Sequence, residues 1–139
     1  MTKKFRCILL IDDDIMTNEF HEIIINDADI TEKLQTVTSG QEALDYLTNS
    51  GKYKSNGTAF PQPDLVLLDI NMPAMNGFEF MERYQNLNPN QKGEVVIVML
   101  TSSLNPDDEE RANDFESING YRNKPLTIEM LNELATEYL

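Results

Sequence analysis

The sequence predicts an α/β fold in which five parallel strands form one sheet and helices cover both of its faces. Three continuous apolar runs support this prediction, because short runs rich in Val, Ile and Leu are typical of strands that are buried on both faces. These runs are residues 7–11, 65–68 and 95–100. Helix-start signals lie between them, and strict alternation of strands with helices favours a parallel sheet.

The first two elements after the opening strand are a helix and a weak strand. The helix is predicted over residues 15–26, and we expect Phe20, Ile23 and Ile24 to face the core. Residues 33–37 form the second strand in this prediction, although their apolar pattern is weaker than that of the three long runs.

The second helix has a clear start signal. Ser39 and Glu42 have the spacing of a capping box, and the apolar residues Ala43 and Leu44 follow at once. After this helix, residues 50–63 contain two glycines and two prolines, which indicates a long surface loop before the third strand.

Three further helices are predicted from their capping residues. Asn76 can cap the third helix, and Asn105 followed by Pro106 is a typical start for the fourth. Residues 120–122 predict the fifth strand, and Thr127 can cap the last helix. The complete pattern is five successive strand–helix units.

Composition excludes several classes of function. The chain has 139 residues, with 11 Lys and Arg against 24 Asp and Glu, so its net charge is −13. Such a charge repels phosphate backbones and anionic membrane surfaces, so we expect no nucleic-acid or membrane partner. The single cysteine excludes an internal disulfide and favours a reducing, cytoplasmic location. No apolar run approaches the ~18 residues of a membrane span.

Acidic and polar residues follow four of the predicted strands. They are Asp12, Asp13 and Asp14 after the first strand, Asp69 after the third, Thr101 and Ser102 after the fourth, and Lys124 after the fifth. Because ligands of open α/β sheets bind beyond the carboxyl ends of the strands, we expect these side chains to form a site.

The charge of this cluster indicates a metal ion. Two carboxylates 4 Å apart repel by roughly 4 kcal/mol at an effective dielectric constant of about 20, and a third carboxylate adds to that repulsion. A bound divalent cation removes it, and oxygen ligands with open water positions favour Mg²⁺. A metal ion, a lysine and a hydroxyl group around one carboxylate could stabilise a transferring phosphoryl group.

Some residues near this cluster have simpler interpretations. An Asp after a strand is commonly a turn former or a helix cap, and we assign Asp14 to that role. We expect His21 of the first helix to lie at the surface or at the rim of the site, without a chemical function.

The same residues resemble the receiver domain of two-component response regulators. The most specific segment runs from Pro63 through Asp69 to Pro73 and is followed by Met75-Asn76-Gly77. The acids after the first strand and the segment 120–125 complete the resemblance, which covers essentially the whole chain. It implies a flavodoxin-like (βα)5 sandwich with strand order 2-1-3-4-5, for which a member of this family is a known example. We expect one receiver domain over residues 1–139 and no output domain.

The resemblance implies a role for each acidic residue. Asp69 is similar to the phosphoacceptor of the family. Asp13 resembles the direct Mg²⁺ ligand, and Asp12 resembles the second acid, which acts mostly through water. Asn71 is expected to contribute its backbone carbonyl group to the metal site.

The resemblance also implies a switch. Thr101 and Lys124 are similar to the switch hydroxyl and to the lysine that pairs with the phosphoryl group. Tyr121 lies at the family's aromatic switch position, and we expect it to be exposed before phosphorylation. The peptide bond between Lys124 and Pro125 is expected to be cis.

The implied function is a single-domain response regulator of a two-component phosphorelay. A sensor histidine kinase or a histidine phosphotransfer protein would donate the phosphoryl group, and a target protein would bind the face of the fourth helix, fifth strand and fifth helix. Such a protein is not an enzyme in the usual sense, because it catalyses only its own Mg²⁺-dependent phosphorylation and dephosphorylation.

Three other interpretations fit the sequence less well. A phosphatase of the haloacid dehalogenase type needs a second acid two residues after the nucleophile, where this chain has Asn71. A flavodoxin needs a phosphate-binding loop after the first strand, where Asp12 and its neighbours would repel phosphate. A degenerate receiver would have lost one of the chemical positions, and all of them are occupied here.

Overall fold

A computed structural model describes residues 3–54, 61–88, 95–102 and 105–139 of the chain. Within these residues, five parallel strands form one sheet in the order β2-β1-β3-β4-β5, which confirms the predicted fold. The strands are β1 (Ile8–Ile11), β2 (Leu34–Val37), β3 (Leu65–Asp69), β4 (Val96–Thr101) and β5 (Gly120–Asn123).

Five α-helices and one 3₁₀ helix connect the strands in the described part of the chain. They are α1 (Ile15–Ala28), α2 (Gly40–Leu47), the 3₁₀ helix (Gly51–Tyr53), α3 (Gly77–Gln85), α4 (Pro106–Asn113) and α5 (Ile128–Tyr138). None of these helices is both long and apolar enough to cross a lipid bilayer.

The predicted capping residues begin the helices. Ser39, Asn76, Asn105 and Thr127 each accept a hydrogen bond from a backbone N–H group of the first turn. The reciprocal capping box occurs at α3, whereas the one predicted at α2 is only half formed. There the carboxylate of Glu42 accepts from the N–H of the preceding Thr38 at 2.9 Å instead of from the N–H of the cap.

Alternate residues of β1 pack into two separate cores, one on each face of the sheet. Leu9 and Ile11 contact the core under α2, α3 and α4, whereas Ile8 and Leu10 contact the core under α1 and α5. All residues of β1 and β3 are buried, because helices cover both faces. This double burial is the physical reason for the continuous apolar runs.

The buried face of α1 differs from the prediction. Phe20 and Ile23 are 44% and 61% exposed, so their predicted core positions are wrong, whereas Ile24 is half-buried against the core as expected. The buried residues are Asn18, His21 and Ile25, and the expected surface position of His21 is therefore also wrong. Polar side chains occupy this face because the backbone of neighbouring loops supplies hydrogen-bond partners for them.

Aromatic side chains hold the described parts of the predicted loop after α2. Tyr53, at the end of the 3₁₀ helix, is buried and donates a hydrogen bond to Glu42 at 2.6 Å. Tyr46 of α2 donates to the carbonyl oxygen of Pro61 at 2.6 Å, which fixes the far end of the loop. The rest of the predicted loop, residues 55–60, lies outside the described residues.

Candidate functional site

Four strands deliver polar side chains to the carboxyl edge of the sheet. Asp12 directly follows β1, Asp69 and Thr101 are the last residues of β3 and β4, and Lys124 directly follows β5. Asp12, Asp69 and Thr101 are 2%, 4% and 0% exposed, so this edge contains buried polar groups between two apolar cores. Buried polar groups are costly unless they are paired, which identifies the edge as a candidate site.

Three carboxylates converge at this edge, as predicted. Asp12, Asp13 and Asp69 each have a carboxylate oxygen within 4.8 Å of the others. Asp13 is exposed, whereas the other two are buried. The cluster therefore has an open side toward solvent at Asp13.

Lys124 pairs with the two buried acids at once. Its Nζ atom is 2.6 Å from Oδ2 of Asp12 and 3.0 Å from Oδ1 of Asp69. Burial alone would lower the pKa of Lys124, but the hydrogen bonds to the two carboxylates outweigh it and hold this pKa above its usual value. Burial raises the pKa of Asp69, and Lys124 opposes that shift.

Backbone contacts hold these side chains in register. The N–H group of Lys124 donates to the carbonyl oxygen of Thr101 at 2.8 Å, and the N–H group of Asn71 donates to Oδ1 of Asp69 at 3.3 Å. The side chain of Asn18 on α1 donates to the carbonyl oxygen of Asp12 at 2.7 Å. The site is thus connected to β4, to the loop after β3 and to α1.

Gly77 brings the start of α3 close to Asp69. A Cβ atom at Gly77 would lie 2.8 Å from the carbonyl oxygen of Asp69 and 3.0 Å from Cα of Ile70. The N–H group of Gly77 donates to the carbonyl oxygen of Ile70 at 2.8 Å. A larger residue would push α3 away from the carboxyl end of β3, so glycine is required by close packing.

The structure places Thr101 and Tyr121 on adjacent strands, with Thr101 fully buried. Tyr121 is half-buried and packs against the core under α2, α3 and α4, so the expected exposed position is wrong. Burial raises the pKa of its phenol, and the carboxylates of Asp108 and Glu109 act in the same direction, whereas the Thr101 hydroxyl opposes it. The ring packs against the same core as the half-buried side chains of Phe115 and Ile118, which removes apolar surface from water.

The site residues fit Mg²⁺. Carboxylate oxygens are the ligands that this ion prefers, and the exposed side at Asp13 leaves room for the water molecules that it retains. When bound, such an ion neutralises charge on the acids and on a phosphoryl group.

Sequence reasoning missed two residues that support this edge. Asn18 contacts the backbone of Asp12, and His21 accepts a hydrogen bond from the N–H group of Leu126 at 3.3 Å. The sequence feature that could have indicated them is the helical spacing of Asn18, His21 and Ile25, which places all three on one face of α1. That face was overlooked because it is more polar than the exposed face with Phe20 and Ile23.

Comparison with known proteins identifies the class to which this fold and site belong. The model of the response regulator receiver domain family matches residues 8–136. The chain therefore belongs to the response regulator receiver domain family, as its resemblance predicted. Proteins of this family act in two-component signalling, between histidine kinases or phosphotransfer proteins and downstream targets.

Individual relatives agree with this assignment. A two-component response regulator from Cytophaga hutchinsonii, known from a crystal structure, shares 32% sequence identity with this chain. The two structures superpose with a TM-score of 0.83 over 97% of each chain. Two-component response regulator 24 of Arabidopsis thaliana is 29% identical over 88% of this chain and 76% of its own length. The response regulator Rcp1 of Synechocystis, in its Mn²⁺-bound form, shares 26% sequence identity with this chain. Its structure superposes with a TM-score of 0.72 and covers 95% of this chain and 90% of the Rcp1 chain.

Proposed function

We propose that this protein accepts a phosphoryl group on Asp69 from a histidine kinase or a histidine phosphotransfer protein, in a reaction that depends on Mg²⁺. One observation carries the proposal: the buried carboxylate of Asp69 lies with two other carboxylates and at 3.0 Å from the ammonium group of Lys124. Receiver domains are signalling proteins, and this arrangement supplies the groups that a phosphoryl transfer needs.

In the proposed reaction, an oxygen of Asp69 attacks the phosphorus atom of phosphohistidine. A new O–P bond forms as the P–N bond breaks, and the imidazole of the donor leaves with the electron pair of that bond. Lys124 is placed to pair with a phosphoryl oxygen, since its ammonium group already contacts Asp69. Asp12 retains its contact with Lys124 and so orients that ammonium group.

The proposed metal ligands are the carboxylates of Asp13 and Asp69 and the backbone carbonyl of Asn71, with Asp12 acting mostly through water. The convergence of the three carboxylates supports this set. A divalent ion is also bound in the Rcp1 structure, and we extend that property to this chain as part of the proposal.

Phosphorylation of the purified protein tests this function. With Mg²⁺ and acetyl phosphate, intact-mass measurement should show one added phosphoryl group, and Asp69→Asn should show none. Asp27→Asn is the matched control, because it removes an exposed carboxylate at the far end of α1. Full labelling of the Asp69 variant would disprove the assignment.

We further propose that the target protein binds the face formed by α4, β5 and α5. A cleft of about 440 Å³ lies on this face and is lined by Pro106, Glu109, Tyr121 and Met130, among other residues. Thr101 connects the cleft to the site, because it ends β4 beside Asp69 on one side and pairs with β5 on the other. A phosphoryl group that attracts the Thr101 hydroxyl would change the surroundings of Tyr121.

Chemical-shift mapping tests the proposed face. Phosphorylation should shift the amide signals of Tyr121 and of α4 as well as those around Asp69. Changes confined to the loop of residues 50–63, with the signals of Tyr121 and α4 unmoved, would contradict this mechanism.

A further inference from the structure

His21 is a buried titratable residue that the proposed reaction does not use. It is 1% exposed, and its Nε2 atom accepts a hydrogen bond from the N–H group of Leu126 at 3.3 Å. An imidazole nitrogen can accept only when it carries no proton, so the proton of the neutral ring lies on Nδ1. Nδ1 is buried and has no hydrogen-bond partner among the described residues.

Among the described residues, the hydrogen bond from Leu126 and the one from Lys124 hold the segment that carries the lysine on its two sides. The N–H group of Lys124 donates to Thr101 on β4, and the N–H group two residues later donates to His21 on α1. Between these two contacts, the lysine side chain extends to Asp12 and Asp69. The ammonium group therefore depends on a short segment that is fixed at both ends.

We propose that His21 is a positioning residue, which fixes the backbone after Pro125 so that Lys124 reaches both buried acids. A buried backbone N–H group without an acceptor is costly, so loss of the His21 nitrogen should move Leu126 and the preceding lysine. The catalytic consequence rests on the proposed phosphorylation of Asp69. Displacement of a reacting group by about 1 Å can reduce a rate by about 100-fold.

Three variants separate positioning from simple space filling. His21→Leu removes the acceptor and keeps an apolar side chain of moderate size. His21→Gln places an amide oxygen at about the reach of Nε2, so it should restore the hydrogen bond. Ile25→Val is the matched control, because Ile25 lies on the same buried face of α1 and makes no contact with this loop through hydrogen bonds.

The first measurement is the rate of phosphorylation by acetyl phosphate, together with Mg²⁺ affinity and melting temperature. We expect His21→Leu to slow the reaction by about tenfold with little change in Mg²⁺ affinity, a smaller loss than a full 1 Å displacement would cause. His21→Gln should recover most of the rate, and Ile25→Val should lower the melting temperature while the rate is retained. Equal rates for His21→Leu and Ile25→Val would overturn the proposal.

The second measurement does not depend on phosphorylation. The ¹⁵Nζ signal of Lys124 in the unphosphorylated protein reports on its ion pairs, and it should move in His21→Leu and stay in place in Ile25→Val. An unmoved signal would overturn the positioning role even if the protein is phosphorylated. Failure of the wild-type protein to accept phosphate would instead overturn the proposed function. If His21→Leu does not fold, His21→Phe keeps a planar ring without the acceptor.

Discussion

The helices α3 and α4 follow β3 and β4, which are neighbours in the sheet and both end at the site, yet the two helices are packed very differently. Five residues of α3 are buried: Gly77, Phe78, Phe80, Met81 and Tyr84. In α4, Ala112 is the buried residue, and the half-buried Phe115 just after the helix adds one aromatic contact. The remaining residues of α4 are mostly charged and exposed.

This difference corresponds to two tasks. In the proposed function Asp69 must hold a fixed position for phosphoryl transfer, and α3 begins so close to it that only glycine fits at position 77. Contacts between α3 and the α4 region are few and lie near the surface: Arg111 lies 3.9 Å from Glu82 and 4.5 Å from the centre of the Phe78 ring, and Phe115 stacks on Phe78. Regions with few buried contacts have small free energies of rearrangement, so α4 is suited to respond to events at Asp69.

The largest expected effect is on stability. Phe80→Ala on α3 removes a fully buried ring and should lower the free energy of unfolding by about 3–5 kcal/mol. Phe115→Ala beside α4 removes a half-buried ring and should lower the free energy of unfolding by less than half of that amount. Urea unfolding of both variants measures this difference, and similar losses would remove the distinction between the two helices.

The next effect concerns the proposed metal site, which lies beside the closely packed start of α3. Asp13→Ala should weaken Mg²⁺ binding by about a hundredfold, or about 2.8 kcal/mol, because it removes a proposed direct ligand. Asp14→Ala should change Mg²⁺ affinity little, since Asp14 caps α1 through Met16 and Thr17. Calorimetric titration distinguishes the two, and equal effects would mean that the wrong acid is assigned to the metal.

Thr101→Ala should separate the chemistry from the response. We expect Asp69 still to be phosphorylated, while phosphorylation no longer changes the affinity of the α4–β5–α5 face for its target. The coupling that is lost should be ~1–3 kcal/mol, which is typical of coupled sites. Binding of the target with and without phosphate measures it. Full coupling in the variant would show that the signal reaches α4 by another route.

The smallest expected effect is on the pH dependence of stability, through Glu42 of α2, the helix that packs beside α3. Burial alone would raise the pKa of Glu42, but hydrogen bonds from Lys52, Tyr53 and Thr38 lower it from 4.5 to about 2. Because the folded pKa is the lower one, this carboxylate stabilises the fold above pH 4.5, and that stabilisation is lost as the pH falls toward 2.

Glu42→Gln tests this pH dependence. The variant should lose about 1–2 kcal/mol of stability at pH 7 and little near pH 2, where the native carboxylate is becoming protonated. Thermal unfolding across this pH range measures the difference. A constant deficit at every pH would show that the charge of Glu42 does not contribute.

The sequence alone determined the sheet and much of the site. The apolar runs predicted β1, β3 and β4, because strands covered on both faces must be apolar throughout. Polar side chains lie at the carboxyl ends of four strands, and parallel pairing brings these ends to one edge of the sheet. The contacts of Lys124 with Asp12 and Asp69 therefore followed from the positions of these residues in the sequence. Helix starts were equally local, since a cap contacts the backbone of its own first turn.

Only the tertiary structure decided which face of α1 is buried and where Tyr121 packs. Hydrophobicity favoured Phe20 and Ile23 for the core, but the neighbouring loops offer a carbonyl oxygen and an N–H group that satisfy Asn18 and His21 instead. The inward position of Tyr121 likewise depends on contacts with residues that are distant in the chain. Local sequence patterns indicate which positions are apolar and how they are spaced. The hydrogen-bond partners that stabilise a buried polar group can be identified only from the folded structure.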